Sequence, residues 1–223
     1  MHETIRILLY GLLAAASPLT LLAALVVLAG RRGRANGVAF AAAFVLGQSI
    51  AFVLAFLVGS HFAHRNHHPT SAAYLELAIG AALLVTAFWK RPPHEPEPAE
   101  RTPRTEALFA TLSRVTPGIS LGIGLPLGIG AKRLAITIVA GATVALADLG
   151  PSEEVGLGAL YVVVATVTVW APVTVYLLLG TRANGLVVDS ERWITSREKM
   201  LTFAVALVLG GFLVLDALVR LFV

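Results

Sequence analysis

Lys132 and Arg133 stand side by side in "GIGLPLGIGAKRLAITIVAG", residues 122–141, a run with no other charge. An ammonium beside a guanidinium suits a sulfate, phosphate or carboxylate, because the guanidinium grips such groups with a planar fork of donors. Near mid-depth in a bilayer each cation costs about 2.5 to 3.5 kcal/mol unless it meets a partner or water. Two partners answer that cost: the anionic part of a ligand, or a carboxylate of the chain itself. Asp216 in the last apolar run is the first internal candidate, with Asp148 and Glu76 nearer the opposite face. Carboxylates so placed also carry coupling protons or ions. Ser17, Thr20, Gln48, Thr166 and Thr168 are further central polar residues, able to line the same cavity or to hydrogen-bond between helices.

A second constellation is "HFAHRNHH", with His61, His64, His67 and His68. His64 and His68 are four apart, a spacing that lets two imidazoles share a metal on a helix. No acidic residue or cysteine accompanies them, so a solvated outer loop is the plainer reading and no metal is assigned. Nucleophile, base and orienting acid do not occur at a recognisable spacing, and there is no nucleotide-binding motif. The expectation is a chain without catalytic residues or cofactors, and not an enzyme.

The elements that must hold these residues follow from composition. Of 223 residues 57% are hydrophobic and 13% charged, against about a quarter charged in a soluble domain. Long apolar runs recur along the whole sequence, which predicts an all-α integral membrane protein. The net charge of +4 falls mostly in short connections, where it orients spans rather than binding nucleic acid. A helix needs about 20 apolar residues to cross roughly 30 Å of hydrocarbon, and six segments qualify: Ile5–Ala29, Val38–Gly59, Ala72–Trp89, Gly118–Ala147, Gly156–Leu179 and Leu201–Val223. The first reads as a retained span and not a signal peptide, since Pro18 follows Ala14 and Ala16 and the run closes on Arg31, Arg32 and Arg34.

Basic residues alternate between loops. Arg31, Arg32, Arg34, Lys90, Arg91, Arg101, Arg104, Arg114, Arg182, Arg192, Arg197 and Lys199 fall on one side, while Arg6, Arg65 and Arg220 fall on the other. The positive-inside rule therefore puts both termini outside. Residues 1–89 form a first unit of three spans. Residues 90–116 form a cytoplasmic Pro/Glu-rich linker, with a short surface helix expected over Glu106–Val115. Residues 117–223 form a second unit of three spans. "RANG" at Arg34–Gly37 and again at Arg182–Gly185 reads as a cap closing a span, and Pro172 either kinks the fifth span or is tolerated within it.

The fourth run is 30 residues long, about 45 Å as one straight helix, so it must tilt or break. Gly122, Gly124, Pro126, Gly128 and Gly130 alternate just before the basic pair, weakening the helix there. Pro18 stands between Ser17 and Thr20 in the middle of the first run. Helices 1 and 4 are thus expected to be broken near mid-membrane, and each opens a unit of three spans. Three being odd, the units face opposite ways, the pattern of inverted-repeat transporters, whose site lies where the broken helices meet.

The order "SPLTLLAALVVLAGRRGRANGVAFAAAFVLGQ", the Pro/Glu-rich linker, "GLPLGIGAKRLAITIVAG", "APVTVYLLLGTRANG" and a Trp before the last span resembles the GAP family. These are the peptidoglycolipid- or sulfolipid-addressing proteins of the lysine-exporter (LysE) superfamily. The resemblance runs over nearly the full length and implies six helices in two inverted triplets, a bacterial plasma-membrane location, and a role in moving cell-envelope glycolipids. Where that family often has Asn-Pro-Lys-Asn, this chain has Gly130-Ala131-Lys132-Arg133, so only the lysine carries over.

Together these readings describe an exporter of an anionic (glyco)lipid or lipid-linked solute, bound by Lys132, Arg133, Ser17, Pro18, Thr20, Gln48, Pro126, Gly128 and Gly130. Membrane lipids, envelope-lipid biosynthetic proteins and a second copy of the chain are the expected partners. Export of an amino acid or metal ion, and a scaffold acting through the linker, are the alternatives.

Overall fold

Proline sets where three of the helices begin. Pro18, Pro117 and Pro151 each stand in the first turn of a helix, where the missing N–H has no acceptor to lose and the fixed φ is already helical. The computed structural model describes residues 2–30, 32–65, 116–147 and 149–180, with single helical positions between 77 and 85 and between 200 and 218. Among these residues the regular structure is helical: α1 (His2–Ala15), α2 (Pro18–Ala29), α3 (Gly33–Arg65), α4 (Pro117–Ile129), α5 (Ala131–Ala145), α6 (Pro151–Ala165) and α7 (Val167–Leu179). At the start of α6, Glu153 accepts a hydrogen bond from the Gly150 N–H at 3.4 Å, placing negative charge at the positive end of the helix.

Among the described residues, only α3 is by itself long and apolar enough to cross a membrane, over Gly33–His61. The other helices form three pairs, each passing the same test as one bent unit. The bends are 59° between α1 and α2, 60° between α4 and α5, and 66° between α6 and α7, which allows up to four spans among the described residues. The breaks expected in the first and fourth runs are present. The fifth run bends at Thr166, while Pro172 lies inside an unbroken α7. The third and sixth runs, the linker and its expected surface helix lie outside the continuously described residues.

Two apolar clusters make up the core. The first joins Leu22 to Leu28 of α2, Phe40 and Phe44 of α3, and Val169, Val173 and Tyr176 of α7, with Ile123 and Leu127 of α4 against it. The second joins Ile7, Tyr10 and Leu13 of α1, Phe52 of α3, Ile136, Val139 and Val144 of α5, and Tyr161 and Ala165 of α6. Every bent pair therefore has one half in each cluster, and α3 runs through both.

α3 is the spine of this arrangement, packed along both α4 and α5. A Cβ on Gly124 would lie 2.6 Å from Phe40 O, and one on Gly128 would lie 2.5 Å from Phe44 O. The register rises together on the two helices, so α3 and the α4–α5 pair run parallel. Ser120, Gly124 and Gly128 form the buried face of α4, a small-residue stripe that lets helix backbones approach closely. Gly124 and Gly128, read as weakening the helix, are thus packing notches in an intact α4, whereas Gly122 is exposed with nothing against it, and the interruption falls at Gly130. The first "RANG", too, lies inside the opening turns of α3 and does not close α2; the second lies outside the described residues. Arg34, in the first copy, donates to Leu177 O near the end of α7 at 3.3 Å.

Candidate functional site

In each of the four elements that join the clusters, the interval between them carries polar residues. Ser17 separates α1 from α2, and Gln48 lies between Phe44 and Phe52 on α3. Gly130, Lys132 and Arg133 follow Leu127, and Thr166 and Thr168 lie between Ala165 and Val169. A polar waist crosses the molecule between two apolar layers, and all three bends fall on it.

The second bend delivers the basic pair. Gly130, with φ −38° and ψ 142°, leaves the helical region, so the chain restarts as α5 with Lys132 and Arg133 in its first turn. No acidic residue shares that turn. Cations there add to the positive end of the helix dipole instead of offsetting it. Arg133 is only 5% exposed. Its Nη1 donates to Ala165 O at 2.6 Å, and the guanidinium carbon lies 4.7 Å above the centre of the Phe44 ring. Nη2 is buried without a partner. Among the described residues the one ion pair is Arg6 with Glu3, so no carboxylate described answers Arg133. The side chain of Lys132 lies outside the described set, as do Asp148, Glu76 and Asp216.

The third bend explains the Ala165 contact. Thr166 interrupts the helix at φ −103° and ψ 4°, and the Val169 N–H, which in a continuous helix would reach Ala165 O, bonds Thr166 O at 2.9 Å instead. A carbonyl released in an apolar core needs a donor. Arg133 supplies one to Ala165, and Trp170 Nε1 donates to Val163 O at 2.9 Å. The Arg133 guanidinium thus ties the second bend to the third.

Thr137, one turn beyond Arg133, is the hub of a buried network. Its hydroxyl donates to Arg133 O at 2.7 Å. Gln48 Nε2 donates to the same oxygen at 2.9 Å, and the Tyr161 hydroxyl lies 2.8 Å from it. One hydroxyl has one hydrogen and two lone pairs. With the hydrogen given to Arg133 O, both neighbours must donate. That fixes the Gln48 carboxamide with nitrogen toward Thr137 and leaves Oε1 buried without a donor.

Of the residues expected at the site, the structure brings together Arg133, Gln48, Gly128 and Gly130. Ser17 and Thr20 bond each other at the first bend, Thr20 Oγ1 donating to Ser17 Oγ at 2.9 Å; Pro18 opens α2 beside them. Pro126 is on the exposed side of α4, away from this cluster. His61 is exposed and, with His64, belongs to the last turns of α3 and not to a loop; the side chains of His64, His67 and His68 lie outside the described residues. Phe44, Thr137, Tyr161 and Trp170 were not legible as site residues, although Thr137 follows Arg133 at a helical spacing that would have flagged it.

A family model described as Sap, sulfolipid-1-addressing protein, matches residues 7–218. No curated protein and no solved structure matches the chain.

Proposed function

The chain belongs to the sulfolipid-1-addressing protein family, and from that premise we propose that it is a carrier, not an enzyme, that moves an anionic envelope lipid outward by receiving its head group at the polar waist. The observation that carries this reading is Arg133: a buried guanidinium at the junction of two helix breaks, with a free Nη2 and no carboxylate paired with it among the described residues. A sulfate or phosphate ester supplies the missing charge and accepts from the donor left over. Lys132, in the same turn, adds a second positive charge.

The inverted-repeat layout has three supports. The α1–α2 and α4–α5 bends are nearly equal, at 59° and 60°. The first pair passes from the second cluster to the first, whereas the fourth run passes from the first to the second. Parallel α3 and α4–α5 also call for a connection returning along their length, which fits a further crossing in Ala72–Trp89. With both termini outside, the carrier sits in the bacterial plasma membrane, and lipid-synthesising proteins are its natural suppliers.

The test compares surface-extractable and cell-retained lipids in a strain lacking the protein, rescued by wild type or by Lys132→Ala/Arg133→Ala. Retention of an anionic glycolipid without the protein, unrelieved by the double variant at normal protein level, is the expected result. Matching lipid profiles with and without the protein, or full rescue by the double variant, would sink the proposal.

A further inference from the structure

The three bends do not share a cause. Pro18 accounts for the first and Gly130, with ψ 142°, for the second. The third lies in "VVVATVTVW", residues 162–170, which holds neither residue type. Sharp kinks of that kind arise where a side chain inserts into the helix ladder, and two side chains do so here. On either side the backbone ladder is intact: Thr166 N–H reaches Val162 O at 3.1 Å, and Trp170 N–H reaches Thr166 O at 3.2 Å. A continuous helix would pair Val163 O with the Val167 N–H and Ala165 O with the Val169 N–H. Instead Val163 O accepts from Trp170 Nε1 at 2.9 Å, and Ala165 O from Arg133 Nη1 at 2.6 Å.

We infer that the α6–α7 bend is a conditional hinge: with both side-chain donors engaged the pair stands at 66°, and with them released the Val167 and Val169 N–H groups recover the two carbonyls and the pair straightens. Both hydrogen-bond sets use the same acceptors, so the exchange leaves neither carbonyl bare in the apolar core. Thr166, at φ −103° and ψ 4°, has only to turn by about 40° in φ and about 45° in ψ to become helical. The first bend has no such second state, since Pro18 has no N–H to restore. Straightening costs packing: α7 rests on the first cluster through Val169, Val173 and Tyr176, and the bond from Arg34 to Leu177 O has to open. That packing favours the bent form while both donors are in place. Two discrete arrangements about a single residue make a hinge, and the inference concerns how the fold moves, whatever the chain carries.

The chain has no cysteine, so Val155→Cys and Leu178→Cys, at positions 73% and 78% exposed, give two unique sites for nitroxide labels. Pulsed EPR on the full chain in phospholipid nanodiscs reads the distance between them. At 1.5 Å per residue a bend of 66° puts the two backbones about 29 Å apart, and a straight helix about 34 Å. The labelled chain with Arg133 and Trp170 intact is expected to show the shorter distance. Trp170→Phe, which keeps a ring and loses the donor, is expected to add a second population about 5 Å longer, and Arg133→Met with Trp170→Phe to move most of the chain there. An unchanged distance in the folded double variant overturns the inference, and so does a featureless spread, which would mean that the helix melts and does not straighten. Should Arg133→Met prevent folding, Trp170→Phe alone decides: a second, longer population upholds the hinge, and an unchanged distance sinks it.

Discussion

The bends at Ser17 and at Gly130 turn by almost the same angle, 59° and 60°, yet the side chains at them differ in kind. At the first, the exposed backbone is answered from within: Ala16 N bonds Leu12 O at 3.0 Å, Leu21 N bonds Ser17 O at 3.2 Å, and Thr20 donates to Ser17. At the second, a charged side chain reaches 32 residues along the chain to a carbonyl released by another bend. The second bend closes with local backbone bonds too, Gly130 N to Leu127 O at 3.4 Å and Leu134 N to Gly130 O at 2.8 Å, so the difference lies in the charged side chain it adds. A charged break tied to a second one couples the two bends through a single guanidinium. Equal shape therefore does not mean equal chemistry, and the carrier proposed above would work from the side of the charge.

The largest effect should come from that tie. Arg133→Ala removes the guanidinium and strands Ala165 O, at a cost of about 1 to 3 kcal/mol in stability. Lipid export should be lost altogether. Arg133→Lys keeps charge but not the planar fork, so it should retain part of the stability and little of the export. Export and thermal unfolding in detergent, measured on both variants, read the two roles separately. Export unaffected by Arg133→Ala would break the contrast between the bends.

Next in size is the packing that brings Phe44 and Gln48 to the charged bend. A Cβ on Gly128 would meet Phe44 O at 2.5 Å, whereas one on Gly122 meets nothing within 4 Å. Gly128→Ala should destabilise by about 1 to 3 kcal/mol through overpacking. Gly122→Ala should be neutral or stabilise by up to about 1 kcal/mol through helix propensity. Unfolding of the two variants side by side separates the buried face of α4 from its exposed one.

Much of this was open to sequence reading. Proline between hydroxyls marked the first bend, and glycine before a basic pair marked the second, because both residue types interrupt helices through local chemistry. The bend at Thr166 had no such mark. "VVVATVTVW" holds neither Gly nor Pro, and of the two readings open for Pro172, six residues on, the structure has the tolerated proline and not the kink. That bend is braced by Arg133 and Trp170, and the Arg133 brace comes from a distant part of the chain that no local pattern displays. Gly124 and Gly128 were misread for the same reason: a glycine that weakens a helix and one that admits a neighbouring backbone look alike until the neighbour is known. Gln48 was legible as a polar residue in an apolar run, but its free oxygen depends on how Thr137 spends its hydrogen.

The smallest effect belongs to the neutral bend. Thr20→Val keeps the side-chain shape and deletes the donor to Ser17, a single hydrogen bond of the kind that averages about 0.6 kcal/mol between membrane helices. Ser17 Oγ is half-buried, and the backbone contacts of the bend do not pass through it, so the turn should persist. Unfolding should shift by no more than that amount, with export near wild type. A Thr20→Val chain that is stable but unable to export would mean that the first bend contacts the passing head group after all. The two halves would then share the work, and the contrast drawn from Arg133 would hold for architecture alone.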